Sequence, residues 1–305
     1  MRWVTYRSTD GTERPGLLRD GRVHGLDGTL LALIESGLAA AAELAVAAPV
    51  EVVELADVRV VAPIPRPPSV RDFLSFEEHL RNAVRALGRR EPPPVWFEQP
   101  VFYFSNPAAT RGPDEEIPIS PGCEAFDYEV EVAAIVGRAG SDLTPADAEA
   151  HIAGYTIFCD WSARDVQRRE STIGLGPAKG KDGATSIGPA LVTPDELESF
   201  RSGKGYRLAM RASVNGRDLG GGSWADIHWS FGQMLAYASR GTRLLPGDVI
   251  GSGTVGTGCL LELSGLHGVE RYPWLQPGDV VTIEVEQLGA ITGRIVPGPA
   301  VVPLS

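Results

Sequence analysis

The 305-residue chain is predicted to fold as a mostly-β α+β protein. The β-rich runs "YEVEVAAIVG", "AGYTIFCDW", "GPALVTP", "YRLAMRASVNG", "GDVIGSGTV", "CLLELSG" and "GDVVTIEVEQLG" outnumber the helical segments. They do not alternate regularly with helices, which disfavours a doubly wound sheet or a barrel of repeated βα units. Two of them follow a Pro-Gly-Asp turn, at 246–248 and 277–279.

Residues 1–65 read as a small N-terminal β-rich domain, with short strands ("RWVTYR", "RPGLLRDGRVHGL") followed by one Ala/Leu-rich helix near 29–46. "APIPRPPSV", at 62–70, concentrates proline, cannot form regular structure and is read as the linker. Residues 66–305 are read as the larger domain. "SFEEHLRNAVRALG" opens with Ser75 and Glu78 in capping-box spacing, which predicts a helix. "TPADAEAHI" and "TPDELESF" each place Thr at the N-cap and Pro at the first helical position.

Composition narrows the function. With 43% apolar and 22% charged residues this is an ordinary globular chain. Its formal charge of −11 argues against nucleic acid and anionic membranes as partners, because both need a basic surface. The start, "MRWVTYRSTDG", lacks an apolar targeting segment, and the Ala/Leu run is interrupted by Glu35 and Glu43. Three distant cysteines suggest neither a disulfide framework nor a zinc ribbon, so reduced thiols and a cytoplasmic location are expected.

The chemistry starts from "FDYEVEVAAIVG", 126–137, where Asp127, Glu129 and Glu131 alternate and share one side of a strand. The following residues are apolar on both faces, as in a buried strand, and buried charges need partners or a metal. Alone, Glu129 and Glu131 fit a solvated edge strand better. With Asp160 ("TIFCDWSARDVQ") and Asp72 ("VRDFLSF"), converging carboxylates would call for a hard divalent cation, Mg²⁺, Mn²⁺ or Ca²⁺. His79, seven residues after Asp72, lies within the predicted helix. Lys179 and Lys181 sit in a glycine-rich loop without Walker spacing, and solvated loop charges are the plain reading of both. "GSGTVGTG", 251–258, is a turn able to bring backbone N–H groups and Thr254 to a ligand. A GxSxG elbow is absent, so the serine hydrolase reading fails.

The pieces "RDFLSFEEH", "DYEVEVAAIVG", "CDWSARDVQ", "AKGKDGATSIGP", "LLPGDVIGSGTVGTG" and "LQPGDVVTIEVEQLG", in this order, make the chain resemble the fumarylacetoacetate hydrolase family over residues 65–300. The resemblance implies that family's β-roll or sandwich as the catalytic fold, and a homodimer. It implies one divalent cation, Mg²⁺ first, on Asp72, Glu129, Glu131 and Asp160, leaving Asp127 as a structural acid. It further implies that His79 activates water, that Glu262 orients His79, that Arg164, Gln167 and Lys179 act in catalysis from the pocket wall, Lys179 and Gln167 on the tetrahedral oxyanion, and that Thr254 meets the substrate. Leu74, Ser171 and Asn106 stand where the hydrolase branch carries two tyrosines and a cation. A neutral-tailed acylpyruvate is therefore expected over fumarylacetoacetate. The expected reaction is metal-dependent C–C hydrolysis of a small keto-acid substrate, a β-diketone acid. Rival readings are decarboxylation or isomerisation of a 2-oxo acid on the same fold, and a catalytically silent scaffold.

Overall fold

The computed structural model describes residues 1–8, 10–86, 88 and 91–303. Strands dominate, in two main sheets. The spatial order of the larger, twelve-stranded sheet runs Glu51–Glu54, Arg22–Gly25, Glu13–Arg19, Arg2–Arg7, Thr185–Val192, Ile152–Asp160, Val130–Val136, Val249–Gly251, Val70–Phe73 and Phe102–Ser105. Arg59–Val61 and Thr110–Arg111 pair off this path. A five-stranded sheet, Arg217–Ser223, Ala209–Val214, Val280–Val285, Gly289–Val296 and Glu116–Pro118, packs against its centre. The first strand, Arg2–Arg7, pairs antiparallel with Thr185–Val192, so the N-terminal meander continues into the main sheet.

Two hydrophobic cores explain why Val130–Val136 is apolar on both faces. Val130, Val132, Ala134 and Val136 point into the core between the sheets. Ala133 and Ile135 point the other way, into a core with Trp3, Leu30, Ile34, Ala41 and Ala45 from the N-terminal segment. The expected single helix over 29–46 is two, Leu30–Ser36 and Leu38–Ala47, bent by 116°. Gly37 sits between them at φ 107°, a backbone conformation that glycine tolerates and most residues do not. No single helix among the described residues is long and apolar enough to cross a membrane.

Local signals were met unevenly. The Thr144 hydroxyl accepts from the Asp147 N–H at 3.2 Å and caps its helix as the spacing predicts. Thr193 precedes Pro194–Leu197, but its hydroxyl receives the chain's terminal amine at 2.5 Å instead. The Ser75 capping box does not form: the Ser75 hydroxyl meets Met234 Sδ at 3.0 Å, and the helix runs Glu77–Ala86. Both Pro-Gly-Asp turns are closed by their aspartates, Asp248 accepting from Leu245 N and Asp279 from Gln276 N. "CLLELSG" is not a strand but the start of the helix Leu260–His267. The cause lies 133 residues upstream of Leu260, where the buried Asp127 carboxylate accepts the N–H groups of Leu260 (2.8 Å) and Leu261 (3.0 Å). Those are orphan donors of a helix's first turn, and a carboxylate there also favours the helix dipole.

Candidate active site

Strand register assembles four acids on one face. Glu131 pairs with Phe158 and Val130 with Cys159, which carries Asp160 to the level of Glu129. Ala133 pairs with Gly251, and Gly251 with Asp72. Side chains directly across a ladder share a face, so Asp72, Glu129, Glu131 and Asp160 all stand on one side of the sheet. That side is covered by the N-terminal helices farther along and opens into a pocket at the acids. All four are buried. Carboxylate oxygens of Asp72, Glu129 and Glu131 lie within 4.8 Å of one another.

Gly251 is required by this crowding, because a Cβ there would stand 2.5 Å from Asp72 Oδ1. The glycine-rich turn beyond it supplies donors. The Gly253 N–H donates to Glu131 Oε2 (2.9 Å) and Asp72 Oδ1 (3.2 Å), and the Thr254 hydroxyl donates to Glu131 Oε1 at 3.3 Å. Thr254 thus serves the acid cluster from the pocket wall.

Two cations are threaded through the acids. Arg164 joins Asp127 to Glu129, each at 2.8 Å. Lys181 Nζ lies 2.5 Å from Glu129 Oε2 and 2.7 Å from Asp160 Oδ2. Burial alone would raise the Glu129 carboxyl, yet Lys181 and Arg164 hold it well below the usual range. Burial and the charge of Asp160 push Asp72 up to about 8. Burial and the charge of Asp72 likewise raise Glu131. Asp160 is raised by burial to about 6, with Lys181 opposing. Fully ionised, the four clustered acids and Asp127 would outnumber Arg164 and Lys181, and without a further cation that excess is relieved by protons held on Asp72 and Glu131. Asp160 Oδ1 is also buried without a hydrogen-bond partner, a state that demands an explanation. An all-carboxylate donor set with an orphaned oxygen fits a hard divalent cation.

The second feature is a histidine–carboxylate pair. His79 Nδ1 lies 2.6 Å from Glu262 Oε1. The other oxygen of Glu262 accepts from Asn82 Nδ2 (2.8 Å) and the Thr257 N–H (2.9 Å). Those two bonds lock the carboxylate, and the Asp127-capped helix fixes its backbone. His79 lines the same pocket as Asp72, Glu129, Glu131 and Lys181. With Nδ1 engaged by Glu262, Nε2 is the nitrogen left for the pocket.

Several sequence expectations move. Lys179 is 72% exposed and pairs with Asp182 outside the pocket, whereas Lys181, read as a solvated charge, is the buried lysine. Two lysines in one glycine-rich loop look alike in sequence, and only the path of the loop distinguishes them. Arg164 lines the pocket, but its guanidinium is engaged by buried acids. Gln167 also lines it and accepts from Arg164 Nη1 at 3.3 Å. Leu74 lines the pocket, and so does Ser171, whose hydroxyl is turned back onto Gln167 O at 2.8 Å. Asn106 is not a pocket residue: its side chain accepts from Ala108 N and donates to Asp182 O. Tyr103 went unnoticed in the sequence. Its hydroxyl donates to Asp160 Oδ2, and its place in "QPVFYF" at an edge strand resembles any surface aromatic.

Lys181→Met is expected to destabilise the cation-free protein by about 3–5 kcal/mol, because it leaves the buried Asp160 without a cation and Glu129 with Arg164 alone. Lys179→Met, on the surface, should change thermal stability little. Equal melting temperatures for the two variants would show that Lys181 does not hold the cluster together.

Comparisons with known proteins agree with this architecture. A human mitochondrial oxaloacetate tautomerase is 30% identical over 88% of this chain and 80% of its own length. The solved structure of a fumarylacetoacetate hydrolase from Exiguobacterium antarcticum superposes with a TM-score of 0.72 at 27% identity, covering 97% of this chain and 99% of that one. A 5-carboxymethyl-2-hydroxymuconate delta-isomerase from Mycobacterium smegmatis matches with a TM-score of 0.70 at 26% identity, over 97% and 100% of the two chains. The fumarylacetoacetate (FAA) hydrolase C-terminal family model matches residues 69–296, which include every acid of the cluster, His79 and Glu262. The chain belongs to the fumarylacetoacetate hydrolase family.

Proposed function

We propose that the protein hydrolyses a C–C bond in a β-diketo acid of the acylpyruvate type. The carrying observation is the His79–Glu262 pair, locked at 2.6 Å in the pocket that holds the acid cluster. A divalent cation on Asp72, Glu129, Glu131 and Asp160, Mg²⁺ or Mn²⁺ by donor type, would supply Lewis-acid polarisation of the diketo oxygens. His79 accepts a proton from water at Nε2 as hydroxide adds to the acyl carbonyl. Glu262 keeps the other ring nitrogen protonated and stabilises the imidazolium that forms. Collapse breaks the bond between the acyl carbon and the methylene. The acyl group leaves as a carboxylic acid, and the proton held on His79 goes to the departing carbon, giving a 2-oxo acid. Lys181, beside Asp160 and Glu129, keeps positive charge near the developing enolate.

A second reading is keto–enol tautomerisation of a 2-oxo diacid. It is supported by the human relative's activity and uses the same residues to move one proton without a nucleophilic water. One experiment separates them. Purified protein with Mg²⁺ or Mn²⁺ is given acylpyruvates and enol-oxaloacetate, and both enol absorbance and product acids are followed. Hydrolysis releases stoichiometric acid and 2-oxo acid. Loss of enol absorbance with the carbon skeleton intact would overturn the hydrolase reading in favour of the tautomerase.

A further inference from the structure

The pocket, about 1060 Å³, extends well beyond the acids. That volume is large for a compact diketo acid and typical of sites that enclose larger ligands. Among the described residues, and apart from the exposed Arg168, its charged walls all belong to the acid cluster and the His79 pair. The remainder is mostly apolar, with Leu74, Leu80, Ala83, Val84, Val101 and Phe102 prominent, and Gln167, Ser171 and Thr172 add polar groups from the helix Arg164–Ser171 and its end. The helix Glu77–Ala86 organises it. His79, Ala83 and Ala86 stand at i, i+4 and i+7 and follow one stripe, with Leu80 and Val84 beside it. By the helical rise, this stripe runs about 10 Å from His79 to Ala86. The small side chain at 83 leaves room along it, whereas Ala86 packs closely on Gly265 of the helix Leu260–His267.

Most of the polar groups nearby are already engaged, the Ser171 and Thr172 hydroxyls by the backbone carbonyls of Gln167 and Arg169. Asn82 donates to Glu262, Trp96 Nε1 donates to Leu74 O at 2.7 Å, and Arg81 pairs with Glu77 and Glu91 outside. Asn106, where the family's cation was expected, is turned to Asp182. A carboxylate placed in this arm would be desolvated without a charged partner among the described residues other than Arg168.

We infer that this arm is a subsite for an uncharged hydrocarbon tail of several carbons, running from the reacting carbonyl at His79 along the helix past Ala83. The inference rests on the pocket being the substrate site, as proposed above, but not on the reaction being hydrolysis. The tail gives selectivity through buried area alone. Ala83 sets how far the tail reaches.

The test uses straight-chain 2-oxo acids, from pyruvate to 2-oxooctanoate, binding to the full protein with saturating Mg²⁺. Affinity should rise about fourfold per added methylene until the arm is full, the factor that about 0.8 kcal/mol per buried CH₂ gives. Ala83→Phe should flatten that rise while pyruvate still binds. Ala83→Leu, a milder block, should truncate it if Ala83→Phe folds poorly. Affinity independent of chain length, or an unaltered rise in both variants, would overturn the subsite. So would tighter binding of a terminal dicarboxylate that is lost in Arg168→Ala, since that places a charged end at the rim. A chain-length dependence without any C–C cleavage would keep the subsite and sink the hydrolase reading.

Discussion

Glu129→Gln and Asp160→Asn are each expected to lose tight divalent-cation binding and at least about 10³-fold in turnover, the scale of losing several kcal/mol of Lewis-acid stabilisation. Both residues lie at the shared end of adjacent strands, so each variant removes a charged donor without touching the ladder. The fold should survive for a specific reason. In Glu129→Gln, Arg164 keeps Asp127 and Lys181 keeps Asp160; in Asp160→Asn, Lys181 keeps Glu129. Calorimetric titration with Mg²⁺ and Mn²⁺, run beside a turnover assay, reads both quantities. Chelator treatment of the wild type should reproduce the loss, and returning the cation should reverse it. Full turnover in rigorously cation-free protein would remove the acids from the chemistry.

His79→Ala should leave the cation affinity near that of the wild type and lower kcat by about 10²–10⁴-fold, the usual worth of a positioned general base. Glu262→Gln should act in the same direction and more mildly. The double variant should be little worse than His79→Ala, because Glu262 works through the imidazole and a pair acting as one unit is not additive. Cation titration distinguishes this from collapse of the site, since His79 and the acids stand on different elements of one pocket. If His79→Ala hydrolyses acylpyruvates at the wild-type rate, water is activated elsewhere.

The neighbouring relatives narrow how the reaction can be stated. An oxaloacetate tautomerase, a hydrolase and an isomerase share this architecture with the chain. The three named activities differ, so the shared architecture alone does not choose among them. The choice falls on whether water is activated, and because His79 and Glu262 serve either reaction, the products formed from enol substrates are the informative test.

Much of the site was legible because its signals are local. Glu129 and Glu131 alternate in one strand, Asp160 ends another, and His79 follows Asp72 at a fixed interval. The mostly-β class likewise follows from short apolar runs punctuated by Pro-Gly-Asp turns. Those features are properties of a few adjacent residues, and periodicity or turn chemistry suffices to read them.

Other features depended on contacts between distant segments. "CLLELSG" has strand-like composition, but Asp127 supplies the hydrogen bonds that start a helix there, and that helix turns Glu262 toward His79. Ser75 has capping-box spacing, yet a buried position against Met234 takes its hydroxyl. Lys179 and Lys181 differ by two residues and by their whole environment, one in solvent and one between two buried carboxylates. By itself the sequence determined the strand-rich class, the acids and the histidine, because each is written in spacing along one segment. Only the tertiary structure decided which lysine neutralises the acids, that Asn106 leaves the pocket, and where the apolar arm runs, because burial and charge pairing arise where segments far apart in the chain meet.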